Sequence, residues 1–148
     1  MSRRSAGFTM VELITIMIIV GILAAVAAPR LTGLSDYRAL EFHDQVVSAL
    51  RHSQKTATSH RRLVCVAFTA STVTLTIDHD RSGACDGQAL NLPGASTNVA
   101  QSSDTTNAVF NPVPTAFNFQ PDGSGTDAIL KIAGQTDISV TGATGSVR

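Results

Sequence analysis

The sequence has no excess of charge of either sign, because 11 Lys and Arg residues balance 11 Asp and Glu residues. Bulk electrostatics therefore favours neither the presence nor the absence of a polyanionic partner. The sequence also lacks the short motifs G-x-S-x-G and H-E-x-x-H and a glycine-rich phosphate loop. Its carboxylates fall in turns or on helix faces without an apparent catalytic partner. We expect no enzyme, and we expect neither a cofactor nor a bound metal.

Polar side chains are almost absent from one segment, since Thr15 is the only one between Leu13 and Ala28. As a helix, the stretch from Phe8 to Ala28 would extend about 30 Å, the thickness of the hydrocarbon core of a bilayer. Arg3 and Arg4 precede it, and basic residues tend to stay in the cytoplasm. The sequence predicts a single pass through a bacterial inner membrane with a periplasmic head.

Three interpretations of this N-terminus are open at this point. A secretory signal would use Ala25-Val26-Ala27 as its A-x-A cleavage site, although the apolar run is long for such a signal. A plain anchor leaves Glu12 unexplained, because a carboxylate inside an apolar membrane segment is unfavourable in free energy. The third interpretation rests on the stretch Gly7-Phe8-Thr9-Met10-Val11-Glu12 behind a short basic leader, which resembles the N-terminus of type IV prepilins.

This resemblance implies a processing reaction and an assembly role. A prepilin peptidase would cleave between Gly7 and Phe8 and methylate the new amine of Phe8. In a filament, Glu12 of one subunit would then pair with the terminal amine of a neighbour, because neither charge is tolerable alone in a dry helix core. The implied partners are major and minor pilin subunits, the prepilin peptidase, the inner-membrane assembly platform and the inner membrane itself.

The helix is expected to be interrupted at Gly21 and Pro29, because proline removes a backbone donor. An amphipathic second half should follow, with apolar residues at helical spacing: Ala39, Phe42, Val46, Ala49, Leu50 and Ala57. The predicted segments are a cleaved leader (1–7), a transmembrane or filament-core helix (8–29), an amphipathic helix (30–62) and an antiparallel β head (63–148).

From Leu63 onward the pattern becomes that of β-strands. Residues 63–69 and 72–78 are rich in β-branched side chains and should form a hairpin around Ala70-Ser71. The Ser-, Thr- and Asn-rich stretch 94–107 predicts a loop. Three later runs are expected to form a meander: 115–120, 128–133 and 137–141. The predicted fold class is α+β, a long N-terminal helix packed on a small antiparallel sheet.

The head resembles a particular group of pilins. The stretch FNFQPDGSG, two short strands and a Gly-x-x-Arg-like tail resemble the GspH/FimT family of minor pilins and pseudopilins. The segment from Tyr37 to Lys55, with Cys65, is similar to the MshC branch of mannose-sensitive haemagglutinin-type pili. This implies a pilin fold and a minor pilin of such a pilus or of its initiating tip complex. The alternatives are a GspH-like pseudopilin of a type II secretion system and a DNA-receptor pilin.

The cysteines Cys65 and Cys85 are expected to form a disulfide, because the predicted compartment is oxidising and their number is even. Two reduced thiols are the alternative.

The acidic loop between the strands resembles part of a calcium loop. Asp78, Asp80, Ser82 and Asp86 occupy positions one, three, five and nine, but position twelve is Ala89 and supplies no acid. A solvated turn with Asx-type hydrogen bonds is therefore preferred to a calcium site.

Basic residues near the end of the helix and the C-terminal arginine are candidate DNA contacts: Arg51, Lys55, Arg61, Arg62 and Arg148. Lys and Arg are also favoured at a helix C-terminus by the helix dipole, without any ligand. DNA-binding FimT-type proteins end in Gly-Arg-x-Arg, and this tail keeps only Arg148.

Overall fold

The computed structural model describes residues 9–27 and 34–148. The chain divides between Leu34 and Ser35 into two compact units. The first contains helix α1 (Met10–Ala27). The second contains eight short β-strands and helix α2 (Leu34–His60) from its second residue onward. The predicted α+β class, with a long helix packed on antiparallel sheets, is confirmed. Helix α1 continues through Gly21, and a kink there stays a prediction, whereas Pro29 lies outside the described residues.

Helix α2 packs on the sheets through one stripe of its surface. The six apolar residues predicted from helical spacing are all buried: Ala39, Phe42, Val46, Ala49, Leu50 and Ala57. Full burial of a Phe or Leu side chain stabilises a fold by about 1.5–3 kcal/mol. The hydroxyl of Ser53 is also buried in this stripe, and it donates to the Ala49 carbonyl at 2.8 Å. The sequence pattern therefore gave the correct inner face of α2.

The first sheet has five strands: β1 (Val64–Phe68), β2 (Thr72–Ile77), β3 (Gln88–Ala89), β4 (Val99–Gln101) and β5 (Phe117–Phe119). The strand order is β3-β2-β1-β5, and β4 also pairs with β2, on the edge that β3 uses. The predicted β1–β2 hairpin is confirmed, with Val66 opposite Leu75. The prediction of a loop over 94–107 is wrong at β4, because pairing with β2 orders residues that have no strand pattern of their own.

The second sheet has three strands in the order β6-β7-β8: β6 (Ala128–Leu130), β7 (Ile138–Thr141) and β8 (Ser146–Val147). The predicted meander is therefore only partly correct. Its first strand, β5, pairs with β1 in the other sheet, where Phe119 lies opposite Val64. The short strand β8, at the end of the chain, was not predicted.

Aromatic rings connect α2 with the strands inside the core. The Phe42 and Phe110 centroids lie 5.2 Å apart, and Phe110 in turn meets Phe68 edge-on at 5.6 Å. Phe117 contacts both Phe68 and Phe119. Edge-to-face and offset contacts at these distances are the preferred geometries of aromatic pairs. One continuous apolar core therefore holds α2 and the first sheet together.

Candidate functional site

Helix α1 presents apolar side chains on all sides. Its large apolar residues are between 46% (Ile16) and 84% (Met10) exposed, and every described side chain from Thr9 to Val26 is exposed. A helix that is apolar all round requires burial by something other than water. Apolar surface of this kind marks a site of contact with a protein or a membrane. Within residues 9–27 and 34–148, neither helix has the length and hydropathy expected of a membrane-spanning segment.

Glu12 has a local role that the sequence argument missed. The Oγ1 atom of Thr9, the residue before α1, accepts a hydrogen bond from the Glu12 backbone N–H at 3.3 Å. Thr9 is thus the N-cap, and the donor is the backbone N–H of Glu12, the third residue of the helix. Its carboxylate also lies where the positive end of the helix dipole favours an anion. The Thr-x-x-Glu spacing was visible in the sequence and would have indicated this cap.

The residues of the predicted processing site are not described, because Gly7 and Phe8 lie outside 9–27 and 34–148. Cleavage between them and methylation of Phe8 therefore stay predictions. The pairing of Glu12 with a neighbouring subunit's amine also stays a prediction. The Thr9 cap and the intersubunit pair are compatible, since the cap uses the backbone N–H of Glu12 and leaves its carboxylate free of this bond.

The predicted disulfide between Cys65 and Cys85 is present, with the two Cα atoms 6.1 Å apart. Cys65 lies on β1, in the middle of the first sheet, and Cys85 lies in the loop between β2 and β3. The bridge therefore attaches this acidic loop to a central strand.

The acidic loop is organised by hydrogen bonds to its own backbone. Asp78 is buried, and its two carboxylate oxygens accept from the N–H groups of Ser82 at 3.1 Å and Gly83 at 2.9 Å. Asp80 also accepts from the Ser82 N–H, at 3.0 Å. Hydrogen bonds from the side chain and backbone of Ser82 lower the pKa of Asp80. Carboxylate oxygens of Asp78, Asp80 and Asp86 lie within 4.8 Å of one another. The hydrogen bonds from the backbone of Ser82 and Gly83 to Asp78 and Asp80 are the Asx-type bonds predicted for a turn.

Two of the candidate DNA-contacting arginines are used within the fold. The Nε and Nη2 atoms of Arg51 donate to the Val147 carbonyl at 3.4 and 3.2 Å, which attaches α2 to β8. The Nη1 atom of Arg62 donates to the Asp78 carbonyl at 3.2 Å and so binds the acidic loop. Both guanidinium groups thus have a structural role that needs no ligand.

The other candidate basic residues are exposed: Lys55, Arg61 and Arg148. Arg61 lines a cavity of about 250 Å³ together with Arg62, Arg81 and the carboxylate Asp78. The structure does not bring Lys55 or Arg148 into this cavity. DNA contact by the five predicted residues stays a prediction, and the acid among the arginines weakens the attraction for a phosphate.

The N-terminus matches a family model described as the prokaryotic N-terminal methylation motif, over residues 2–28. A curated relative, the type IV narrow pilus major component PilA5 of Thermus thermophilus, is 38% identical over 55 residues, which are 37% of this chain. The chain covers 47%, about half, of the length of this relative. No solved structure matches this chain significantly.

These similarities do not distinguish the GspH/FimT family or its MshC branch from other pilins. The chain carries a type IV pilin-like N-terminal methylation motif.

Proposed function

We propose that this chain is a minor pilin or pseudopilin that works as a structural subunit. A prepilin peptidase cleaves it between Gly7 and Phe8 and methylates the Phe8 amine. The processed subunit then enters a type IV pilus of the mannose-sensitive haemagglutinin type, or the complex that initiates it. The observation that carries this proposal is the methylation motif over 2–28, which runs into a helix with exposed apolar side chains on every side.

The exposed apolar surface of α1 needs a partner that covers it, both before assembly and within the filament. Burial of each Val, Leu or Ile side chain contributes about 1.5–3 kcal/mol, so a helix of this composition is not left in water. Before assembly, the inner membrane would cover it, and the assembly platform would take it from there. Within the filament, the helices of major and minor pilin subunits would replace the lipid.

Glu12 would give the assembled helices their axial register. After cleavage, the Phe8 amine is a cation with a reference pKa near ~8. A carboxylate of one subunit and an amine of its neighbour can be buried together, whereas either charge alone is strongly destabilising. The Thr9 cap uses the Glu12 backbone N–H, so replacing the Glu12 side chain leaves that bond in place. The Thr-x-x-Glu spacing also suits a side-chain bond back to the Thr9 N–H, so the test includes a variant that keeps this capacity and loses the charge.

The test compares wild type, Glu12→Ala and Glu12→Gln in the native host. Glutamine can also bond back to the N-cap N–H and lacks the charge, so it is the matched control for side-chain capping. We expect both variants to be cleaved normally and to accumulate in membranes. The amount of subunit in sheared filaments, relative to membranes, should fall at least tenfold for both, because breaking a buried charge pair costs about 3–5 kcal/mol.

Three results would contradict the proposal. Recovery of Glu12→Gln at the wild-type level, with Glu12→Ala reduced, would assign Glu12 to helix capping alone. A mature N-terminus at a residue other than Phe8, determined by mass spectrometry, would remove the prepilin assignment. Absence of the wild-type subunit from sheared pili, together with a defect in protein export when its gene is deleted, would favour a type II secretion pseudopilin.

A further inference from the structure

A groove of about 790 Å³ lies on the second unit, between α2 and the segment that leads into β4. One wall is a polar face of α2 that includes Glu41, Asp44 and Ser48. The other wall is formed by β4 and by the partly buried Leu92. Leu92 is fixed by a backbone bond from its N–H to the Thr97 carbonyl at 2.8 Å. The groove is therefore a preformed feature of the fold.

Strand β4 contributes an unpaired edge to this groove. Backbone bonds join Ser102 N to Ser71 O at 2.9 Å and Leu75 N to Asn98 O at 2.9 Å. In an antiparallel ladder, hydrogen-bonded pairs alternate with non-bonded pairs. The bonded pair between these two is thus Val73 with Ala100, so the backbone groups of Val99 and Gln101 point away from β2.

These outward groups are a template for another strand. Among the residues that the structure describes, the Gln101 N–H makes no hydrogen bond to the protein, whereas the Val99 N–H donates to Thr97 Oγ1 at 3.1 Å. The outward groups open to a new strand are therefore the Gln101 N–H and the carbonyls of Val99 and Gln101. Addition of an extended peptide to an exposed sheet edge is a recurrent mode of recognition, in which main-chain bonds supply affinity and side-chain pockets supply specificity. The volume of the groove is sufficient for a short extended segment beside β4.

The charge of the groove indicates the chemistry of its occupant. Its α2 wall carries two exposed carboxylates, Glu41 and Asp44, and the described lining contains no Lys, Arg or His side chain. Residues three apart on a helix are neighbours, about 5–6 Å between their Cβ atoms. Side chains two apart on a strand lie on one face, about 7 Å apart. Two basic residues separated by one residue therefore match the carboxylate pair.

We propose that this groove binds an extended basic segment of a partner protein as an added strand on β4. Main-chain hydrogen bonds join the segment to the Gln101 N–H and to the carbonyls of Val99 and Gln101. Two alternate Lys or Arg side chains face Glu41 and Asp44. The apolar side chain of Leu92 contacts the side chains of the segment that turn away from α2. This binding mode does not depend on the function proposed above.

The test uses the full chain in nonionic detergent and a fluorescent peptide, acetyl-Thr-Val-Lys-Val-Arg-Val-Thr-amide, followed by fluorescence anisotropy. We expect saturable binding that weakens as salt is raised, because the charges are exposed. The same peptide with its central valine N-methylated keeps both charges and loses a backbone donor. It should bind about fivefold or more weakly, as expected for one lost hydrogen bond.

Variants of the protein assign the binding to the groove. Glu41→Gln with Asp44→Asn should weaken binding about fivefold or more, because two ion pairs are lost. Gln101→Pro removes the outward N–H without removing a bond to β2, and proline is tolerated at such an edge position. It should weaken binding to a similar degree. Asp36→Asn is the matched control, since Asp36 lies on the same helix outside the groove, and it should bind as the wild type does.

Equal binding of the normal and N-methylated peptides by the wild-type protein would overturn the added strand, whatever the stability of the variants. Equal weakening by Asp36→Asn would show that the attraction is to the net charge of α2, and would also overturn the proposal. So would self-association of the chain that Gln101→Pro abolishes, because the occupant would then be a second copy.

Discussion

The two helices of this chain have the same secondary structure and opposite surfaces. In α1, large apolar side chains are exposed on every side of 18 residues. In α2, a narrow apolar stripe is buried and most of the remaining surface is polar, with Leu34, Tyr37 and Leu40 exposed near its start. The apolar stripe of α2 packs against strands of the same chain. The apolar surface of α1 surrounds the helix, so contact along one side would leave the other side exposed. Apolar residues confined to one face predict a contact within the fold, and apolar residues all round predict a partner outside it.

The largest expected effect compares a core residue of α2 with an apolar residue of α1. Phe42→Ala should lower the free energy of unfolding of the second unit by about 3–5 kcal/mol, because Phe42 is buried against Phe110. Ile18→Ala should change it by less than about 0.5 kcal/mol, because Ile18 is exposed. Urea denaturation followed by circular dichroism in detergent provides the measurement. Similar losses of unfolding free energy for Phe42→Ala and Ile18→Ala would contradict the difference in burial between the two helices.

The second unit is stabilised by a disulfide, whereas helix α1 contains no cysteine. Reduction, or replacement of Cys65 and Cys85 by Ala, should lower the stability of the second unit by about 3 kcal/mol for a loop of 20 residues. The urea midpoint of the oxidised and reduced protein measures this change. An unchanged midpoint would show that hydrogen bonds alone hold the acidic loop.

The next effect tests how closely α2 meets the turn after β5. Gly123 has φ of +90°, and an added Cβ would lie 2.7 Å from Cγ2 of Thr58 on α2. Gly123→Ala should therefore destabilise the second unit by about 2–3 kcal/mol through backbone strain and overpacking. Gly134→Ala is the matched control, because φ is +76° with open space around it, and it should cost about 1 kcal/mol. Equal losses of stability for Gly123→Ala and Gly134→Ala would mean that α2 shifts at Thr58 and makes room for the added Cβ.

The smallest expected effect depends on pH. Hydrogen bonds from the side chain and backbone of Asn107 and the backbone of Thr106 lower the pKa of Asp104 in the folded state. Its stabilising contribution is thus fully present above the unfolded pKa, about 3.9, and is lost as the pH falls through the lower folded value. The urea midpoint of wild type should exceed that of Asp104→Asn at pH 6, and the difference should shrink as the pH is lowered below about 4. A difference that stays constant on acidification would contradict this linkage.

Local patterns in the sequence were sufficient for α2 and for the β1–β2 hairpin. The buried positions of α2 repeat with the helical period, and the hairpin consists of two β-branched runs with a short connection. The cysteine pair also followed from composition and compartment. In each case, the information lies within the segment itself or in a residue type that has one usual partner.

The remaining structure depends on contacts between distant segments, which no local pattern specifies. The three residues of β4 are a strand because β2 offers an edge at Thr72–Thr74. The alternation in Phe117–Phe119 predicted a strand correctly, yet it could not indicate that the neighbour is β1 and not β6. The groove beside β4 could not be predicted for the same reason. Glu41 on α2 and Gln101 on β4 line the same groove only after the sheet has formed.

The position of β1 between β2 and β5 has a consequence for the order of folding. Its partner on one side is adjacent in the chain, and its partner on the other side follows after β3, β4 and their loops. A hairpin forms within about 1–10 μs, whereas distant pairing is delayed by the entropy of loop closure. We expect the β5-facing edge of β1 to be exposed in the nascent chain, and exposed edges promote aggregation. This edge is where a chaperone would protect the newly synthesised chain.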